Sequence, residues 1–345
     1  MSVFDLARPN IRELVPYQSA RRIGGQAQVF VNANEAGGLV NAAFDGAINR
    51  YPGAQPTELV ADYARYCGLK PGQLLATRGA DEGIEVLIRT FCEPELDAIL
   101  IQPPTYGMYA ITAETCAVAV KTTVSLQEAD LSDAKLVFVC RPNNPTGEMM
   151  APDDLKALLE RAAGSALVVV DEAYIELAPT DARADIAIED PRVIRMRSMS
   201  KAYGLAGARV GYALGAAELI KNFDKIRNHF GLNRSAQHAA LAALRDNEWL
   251  AHIQSQISHA RDRLSQIALD NGLTPIPSAT NFVTMDCGRD GDYAAAVVRE
   301  LGARGIFARM PGVAPLNRCI RISCGPDAAL DLFAAALPQA LKAAL

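Results

Sequence analysis

The stretch Ser198-Met-Ser-Lys-Ala-Tyr-Gly-Leu-Ala-Gly-Ala-Arg-Val-Gly-Tyr212 places one lysine, Lys201, among small residues. The runs Val193-Ile-Arg-Met-Arg197 before it and Arg209-Val-Gly-Tyr-Ala-Leu214 behind it both predict strands, so Lys201 lies on a loop at a strand end. Such loops often carry binding and catalysis. Serines before the lysine and an arginine after it suggest an amine beside an anion, and the small side chains would let a bulky ligand approach closely. The alternative is a surface loop with a solvated lysine.

Short apolar runs alternate with helical patterns from Pro56 to about Leu250. Helical spacing occurs in Thr57–Tyr66 and Asp81–Phe91. Strand-like apolar runs occur at Ala98–Ile101, Val118–Val124, Lys135–Cys140 and Ala166–Val170. Continuous apolar strands separated by helices predict an α/β fold with a mostly parallel sheet that is covered on both faces. Active residues are then expected at the carboxyl ends of these strands.

The pattern changes near the C-terminus, where Trp249–Leu264 predicts one long amphipathic helix. Further strands are predicted at Asn281–Met285, Ile306–Arg309 and Cys319–Ser323, and further helices at Tyr293–Leu301 and from Ala328. This mixture predicts a smaller α+β domain. The chain is therefore predicted to have an extended N-terminal arm over residues 1–40 that packs with the small domain, a large domain over 41–250 and a small C-terminal domain over 251–345.

Composition and charge favour a globular protein with a small-molecule ligand. Of the 345 residues, 50% are hydrophobic and 21% are charged. The 34 basic and 39 acidic residues give a net charge of −5 without a basic block, which argues against nucleic acid or an anionic membrane as the main partner. The seven cysteines lack zinc-site spacing, so no metal site is predicted. Reduced core cysteines and the lack of a signal-peptide core predict a cytoplasmic protein.

Two motifs at predicted strand ends have the composition of ligand-binding turns. In Thr77-Arg-Gly-Ala-Asp-Glu-Gly83 a strand stops at glycine and a helix begins, so free backbone amides could hold a phosphate. The alternative is a plain N-cap by Asp81. In Arg141-Pro-Asn-Asn-Pro-Thr-Gly147 the prolines and glycine fix the turn, so Asn144 is aimed as a hydrogen-bond donor. The alternative there is a turn without a ligand.

A third motif, Val170-Asp-Glu-Ala-Tyr174, closes another apolar strand. A carboxylate such as Asp171 is costly in that place unless it is paired, which suggests a cationic group of a ligand as its partner. The alternative is that Asp171 caps a helix. Tyr174, three residues later, could donate a hydrogen bond to the same ligand.

Four of these features, Asn144-Pro-Thr-Gly147, Asp171 with Tyr174, Ser198 with Lys201, and Arg209, occur in the order and spacing of the class I and II aminotransferases. The chain resembles this group of fold-type-I enzymes, which depend on pyridoxal 5'-phosphate. Further segments are similar to the histidinol-phosphate aminotransferase family within the group. These segments are Val15–Arg22, Asn32–Glu35, Thr77–Glu85 and Pro103–Tyr109.

The resemblance implies a large domain with a mostly parallel seven-stranded sheet between helices, a smaller α+β domain, and bound pyridoxal phosphate. Lys201 would form a Schiff base with the cofactor and then shuttle a proton. Asp171 would pair with the pyridine nitrogen. Asn144 and Tyr174 would hold the phenolic oxygen, and Tyr106 would stack on the ring.

The resemblance also assigns the groups that meet anions. The cofactor phosphate would contact Ala80, Asp81, Ser198, Ser200 and Arg209, with Tyr51 reaching it from the neighbouring subunit of a homodimer. The substrate would contact Tyr17, Asn34, Arg309 and Arg321.

The implied reaction is transamination of histidinol phosphate with 2-oxoglutarate, which yields imidazole-acetol phosphate and glutamate in histidine biosynthesis. A phosphothreonine decarboxylase is one alternative and would need no oxo-acid. An aromatic amino-acid aminotransferase is another and would tolerate loss of the substrate phosphate. A cofactor-binding regulator would carry a DNA-binding domain, and no winged-helix segment or basic stretch precedes the arm.

The segment His229-Phe-Gly-Leu-Asn-Arg-Ser235 departs from the resemblance, because relatives usually have a proline-containing segment there. Its Arg234 is either an extra cation near the substrate or a solvated helix start. The two interpretations stay open from the sequence.

Overall fold

A sheet of seven strands forms the centre of the fold. The computed structural model describes residues 3–16, 34, 48–183 and 190–345. The strands of the main sheet are β1 (Leu74–Thr77), β2 (Ala98–Ile101), β3 (Ala119–Thr122), β4 (Leu136–Cys140), β5 (Leu167–Asp171), β6 (Val193–Ser198) and β7 (Gly211–Leu214). Their order is β1-β7-β6-β5-β4-β2-β3, and β2 to β6 are parallel to one another. Among the described strands of this sheet, only β7 pairs antiparallel, with β6 and with β1. The predicted mostly parallel sheet is confirmed.

Helices cover both faces of the sheet. They are α1 (Pro9–Glu13), α2 (Thr57–Tyr66), α3 (Gly79–Phe91), α4 (Met108–Thr115), α5 (Pro152–Ala162), α6 (Ala217–Ile226), α7 (Arg234–Arg245) and α8 (Asn247–Asp270). In β5, Val169 shares an apolar cluster with residues of α3 and α6. Its neighbours Val168 and Val170 share a different cluster with residues of α5. Successive strand residues point to opposite faces, so a strand that is apolar at every position is buried from both sides.

A second, antiparallel sheet follows α8. Its strands are β8 (Thr274–Pro275), β9 (Phe282–Asp286) and β10 (Cys319–Ser323), in the order β10-β9-β8. Two further helices, α9 (Gly291–Ala303) and α10 (Asp327–Ala343), join α8 around a core that includes Leu264, Val297 and Phe333. This is the predicted smaller α+β unit. The division of the chain at residues 40 and 250 stays a prediction, and α8 runs across the second position.

The structure corrects three local predictions. Residues Ile306–Arg309 do not form a strand, because only Arg309 makes a bridge, to Arg321 of β10. The strand predicted from Arg209 begins at Gly211, since Arg209 has a left-handed backbone. The segment predicted as an extended arm contains the short helix α1, and most of its remainder lies outside the described residues. No helix in the described ranges is long and apolar enough to cross a membrane.

Three buried charged side chains and one half-buried one, that of Arg197, meet where β5 ends. Glu172, which directly follows β5, meets Arg195 at 2.6 Å and Arg197 at 2.7 Å. Arg197 also meets Glu176 at 2.8 Å. Burial raises the pKa of Glu172, but the two guanidinium groups outweigh burial and lower it overall, so the carboxylate stays ionised. The cluster ties the end of β5 to β6 and thereby fixes the loop that follows β6.

We expect Glu172→Gln to lower the free energy of unfolding by about 3–5 kcal/mol, because the buried guanidinium of Arg195 and the half-buried one of Arg197 lose their shared counter-charge. Chemical denaturation followed by circular dichroism measures the change. Asp133→Asn, which breaks an exposed pair with Lys121, is the matched control and should leave stability nearly unchanged. Equal losses in the two variants would contradict the importance of the buried cluster.

Candidate active site

The carboxyl ends of β4, β5 and β6 and the start of α3 enclose a cavity of about 130 Å³. The carboxyl ends of parallel strands meet at one sheet edge, which is why motifs far apart in sequence converge there. The predicted site residues that line the cavity are Ala80, Asp81, Tyr106, Asn144, Asp171, Tyr174, Ser198, Ser200, Lys201 and Arg209.

One end of the cavity depends on close backbone contact between β7 and the start of α3. A Cβ atom at Gly211 would lie 2.5 Å from the carbonyl carbon of Gly79, and one at Gly79 would lie 2.7 Å from the Arg209 guanidinium. Arg209 has φ 56° and ψ 58°, a conformation that costs about 1–3 kcal/mol for a residue with a side chain. This backbone brings the guanidinium, the first amides of α3 and two serines to one place. Such a set of donors suits an anion.

The carboxylate of Asp81 orients two neighbours at this end. It accepts a hydrogen bond from the Tyr106 hydroxyl at 2.8 Å and pairs with the Arg209 guanidinium at 2.9 Å. Because α3 begins at Gly79 with Arg78 as its N-cap residue, Asp81 lies in the first turn. The plain N-cap considered from the sequence is therefore not formed.

At the other end of the cavity, Asp171 is only 3% exposed. Its carboxylate accepts hydrogen bonds from the Tyr109 hydroxyl at 2.6 Å and from the Ala173 amide at 3.0 Å. Burial raises the pKa of Asp171, and both hydrogen bonds oppose the rise. The sequence interpretation missed Tyr109. The available signal was its place in the segment Pro103–Tyr109, but its partner is 62 positions away along the chain.

The amine of Lys201 also lines the cavity and lies 5.3 Å from the centre of the Tyr174 ring. Burial lowers the pKa of Lys201, and the nearby cation of Arg321 lowers it further. Burial raises the pKa of Tyr174, so its hydroxyl stays protonated and can donate. The cavity thus combines an amine that gives up its proton more readily than a solvated lysine with a neutral phenol beside it.

The smaller sheet reaches the cavity through Arg321 of β10. Its guanidinium donates to Oδ1 of Asn144 at 2.5 Å and lies 4.9 Å from the centre of the Phe282 ring. Burial lowers the pKa of Arg321. The backbone of Arg309 pairs with that of Arg321 through hydrogen bonds of 3.3 and 2.6 Å, and Arg309 is exposed. Arg321 therefore contacts the lining residue Asn144, and Arg309 lies beside Arg321 at the surface.

Tyr51 and Asn34 line a separate pocket together with Phe230 and Arg234. The Tyr51 and Phe230 rings stack with centres 4.4 Å apart. Arg234 donates to two carbonyl groups of the Tyr51 loop, at 3.2 and 3.5 Å. Arg234 therefore holds this loop, which neither sequence interpretation anticipated. The predicted residue Tyr17 lies outside the described residues.

The donor set of the cavity fits pyridoxal phosphate. The Arg209 guanidinium can bind a phosphate, the buried Asp171 carboxylate can pair with a protonated ring nitrogen, and the Lys201 amine lines the same cavity. A metal ion has no comparable set of ligands in the described ranges, which contain no group of three or more suitable side chains.

The chain belongs to the class I and II aminotransferases. Residues 24–337 match the family described as aminotransferase class I and II. Among curated relatives, the histidinol-phosphate aminotransferase of Salmonella arizonae is 41% identical over 94% of each chain. That of Citrobacter koseri is 40% identical over 94% of this chain and 93% of its own. The resemblance inferred from the motifs is confirmed.

Solved structures agree with this family. Histidinol-phosphate aminotransferase from Sinorhizobium meliloti, in complex with pyridoxal-5'-phosphate, has a TM-score of 0.79 and 40% identity, over 85% of this chain and 83% of that chain. L-threonine-O-3-phosphate decarboxylase from Porphyromonas gingivalis has a TM-score of 0.75 at 20% identity, over 86% of this chain and 91% of that chain, so it shares the fold. The predicted fold-type-I architecture is confirmed.

Proposed function

We propose that this chain catalyses the transamination of histidinol phosphate with 2-oxoglutarate, using pyridoxal phosphate, as a step of histidine biosynthesis. The observation that carries the proposal is that one cavity brings together the Lys201 amine, the Arg209 guanidinium and the buried carboxylate of Asp171. The names of relatives that are 40–41% identical to the chain support the choice of substrate.

The lining residues would hold the cofactor at three places. The phosphate would be held by Arg209, the Ala80 and Asp81 amides, Ser198 and Ser200. Asp171 would pair with the ring nitrogen and keep it protonated. The ring would be fixed by Tyr106 on its face and by Asn144 and Tyr174 at its phenolic oxygen. When bound, pyridoxal phosphate withdraws electrons from the substrate carbon that bears the amine.

Lys201 would anchor the cofactor and afterwards move a proton. Its lowered pKa favours the neutral amine, the form that can attach to an aldehyde and later accept a proton from the substrate carbon. Tyr174 keeps its proton and therefore acts as a hydrogen-bond donor rather than a base. Lys201 would thus act as the base, and Tyr174 would act as the hydrogen-bond donor.

Lys201→Ala should lose the covalent, borohydride-reducible attachment of pyridoxal phosphate and nearly all transamination, because the amine that forms it is gone. Mass spectrometry after reduction locates the attachment, and absorbance reports bound cofactor. Lys121→Ala, which removes an exposed lysine, is the control and should keep both properties. Reduction that still fixes the cofactor to the Lys201→Ala protein would refute the assignment.

The phosphate of histidinol phosphate would take the place of an amino acid's carboxylate, because histidinol phosphate has no carboxylate on the carbon that bears its amine. Arg321 suits both anions, since a guanidinium pairs bidentately with phosphate and with carboxylate. It would bind phosphate in one half-reaction and the carboxylate of glutamate in the other. Arg309 and Tyr17 would add contacts that favour the phosphate. Asn34 stays a predicted substrate residue and lines the pocket of Tyr51.

Arg309→Ala should reduce kcat/KM for histidinol phosphate about ten- to hundredfold, because a charge-assisted contact is lost. The value for glutamate should fall less, whereas Arg321→Ala should damage both half-reactions. Arg304→Ala, which removes a surface arginine paired with Glu300, should change neither. Equal turnover of histidinol and histidinol phosphate would instead favour an aromatic aminotransferase. Release of carbon dioxide from phosphothreonine without 2-oxoglutarate would favour a decarboxylase.

We also infer that the active unit is a homodimer in which Tyr51 serves the cavity of the partner subunit. Tyr51 is 47% exposed and lies in a pocket apart from the cavity of its own chain. Stacking on Phe230 and the contacts of Arg234 hold its loop at the surface. A fixed, exposed side chain suits a contact across a two-fold axis.

Mixing Lys201→Ala protein with Tyr51→Ala protein should restore roughly a quarter of native activity after subunit exchange. Half of the dimers are then hybrids, and each hybrid has one native cavity. Mixing Lys201→Ala with Asp171→Asn is the matched control and should restore nothing, because both changes lie in the cavity of their own chain. Equal results from the two mixtures, or full activity in a monomer, would exclude the shared site.

We also propose a cellular location and a domain division for the chain. The seven cysteines are free thiols, which fits a reducing compartment, so we place the protein in the cytoplasm. We assign residues 41–250 to the cofactor-binding domain and residues 251–345 to the small domain, with an arm before them.

A further inference from the structure

We propose that Tyr109 is a positioning residue that aims the carboxylate of Asp171 into the cavity and keeps it an anion. The inference rests on the proposed function, in which Asp171 pairs with the cofactor's ring nitrogen. Tyr109 does not line the cavity, so its influence must pass through Asp171. Its role is therefore distinct from that of Tyr106, which lines the cavity.

The geometry gives each oxygen of Asp171 its own donor. The Tyr109 hydroxyl donates to Oδ2 at 2.6 Å, and the Ala173 amide donates to Oδ1 at 3.0 Å. Two donors on different oxygens fix the plane of a carboxylate, whereas one donor leaves it free to rotate. Ala173 belongs to the same turn as Asp171, whereas Tyr109 belongs to another element, α4, and so ties the carboxylate to a second part of the fold.

The ring of Tyr109 is buried and contacts two other aromatic rings. Tyr109 is fully buried, and its ring stacks on Phe138 of β4 with centres 4.7 Å apart. Its other neighbour is the Tyr106 ring, edge-on at 5.6 Å. The hydroxyl thus reaches Asp171 from a buried ring with an aromatic contact to each of two neighbours. Tyr106 and Tyr109 also share one turn, because the Tyr109 amide donates to the Tyr106 carbonyl at 3.3 Å.

The hydrogen bond from Tyr109 stabilises the charged form of Asp171, which burial disfavours. Burial raises the pKa of Asp171 and so favours its neutral form, which could not pair with a protonated ring nitrogen. A donated hydrogen bond stabilises the anion and opposes that rise. Burial also raises the pKa of Tyr109, so the phenol keeps the proton that it donates. The direction of donation is therefore from Tyr109 to Asp171.

The test compares Tyr109→Phe with Tyr63→Phe. Tyr109→Phe keeps the ring on Phe138 and removes only the hydroxyl. Tyr63→Phe is the matched control, because Tyr63 is also fully buried and stacked, on Tyr212 at 3.7 Å, and its hydroxyl has no hydrogen-bond partner among the described residues. Tyr109→Phe should weaken binding of pyridoxal phosphate to the apoprotein about tenfold or more, as expected for loss of a hydrogen bond to a charged group. Tyr63→Phe should leave the dissociation constant unchanged.

A double-mutant cycle separates positioning from packing. In an Asp171→Asn background, Tyr109→Phe should have little further effect on the dissociation constant, because the anion on which Tyr109 acts is absent. An equal effect in both backgrounds would mean that Tyr109 acts by packing, and the inference would be wrong. If Tyr109→Phe binds pyridoxal phosphate as the native protein does while Asp171→Asn binds it more weakly, the role of Tyr109 is wrong and the role of Asp171 stands. Unchanged binding in Asp171→Asn would overturn the proposed role of Asp171 as well.

The apoprotein provides a readout that needs no cofactor. Without the Tyr109 hydroxyl, the folded-state pKa of Asp171 should rise further above its unfolded value. The folded variant then binds a proton where the native protein does not, so the stability difference between them should grow as the pH rises through these pKa values. It should shrink at low pH, where Asp171 is protonated in both. Denaturation across pH measures the difference, and a constant difference, as expected for Tyr63→Phe, would overturn the inference.

Discussion

A carboxylate buried at the end of an apolar strand is the constraint on which the site depends. Asp171 has almost no access to water, and the interior favours its neutral form. The fold supplies a hydroxyl from α4 and an amide from the following turn to retain the charge. One residue further, Glu172 meets the same problem and is paired with two arginines of β6. Of two consecutive carboxylates, one thus lines the cavity and the other holds two strands together.

The reversed strand β7 accounts for the anion-binding end. β7 runs antiparallel to β6, so the chain returns to the adjacent strand through the loop of residues 199–210 without crossing over the sheet. That loop contains Lys201, so the amine stays near the edge where the other strands end. The return also brings Gly211 against Gly79, and this backbone contact draws the start of α3 toward Arg209. The return of the chain into β7 therefore accounts for the positions of both the Lys201 amine and the Arg209 guanidinium.

The sequence predicts regular elements well and contacts between distant elements less well. The helix Thr57–Tyr66 has the predicted bounds, because its apolar spacing directly records the buried face. Ile306–Arg309 was wrongly predicted as a strand, since strand propensity does not supply a pairing partner. Motifs identified most of the cavity lining, because the ends of parallel strands must converge. They could not identify Tyr109 or the contact of Arg234, which depend on how α4 and α7 pack in three dimensions.

Arg209 illustrates a conflict between durability and purpose in a single residue. Its left-handed backbone would suit glycine, so exchanging the arginine for glycine would relax the main chain. The same exchange would remove the guanidinium that this backbone conformation places at the cavity. A search for heat-resistant variants that scores the fold alone would therefore select against the site at this position. Efforts to make the protein more robust should leave this strained turn intact and seek their gains elsewhere, on surfaces that no ligand reaches.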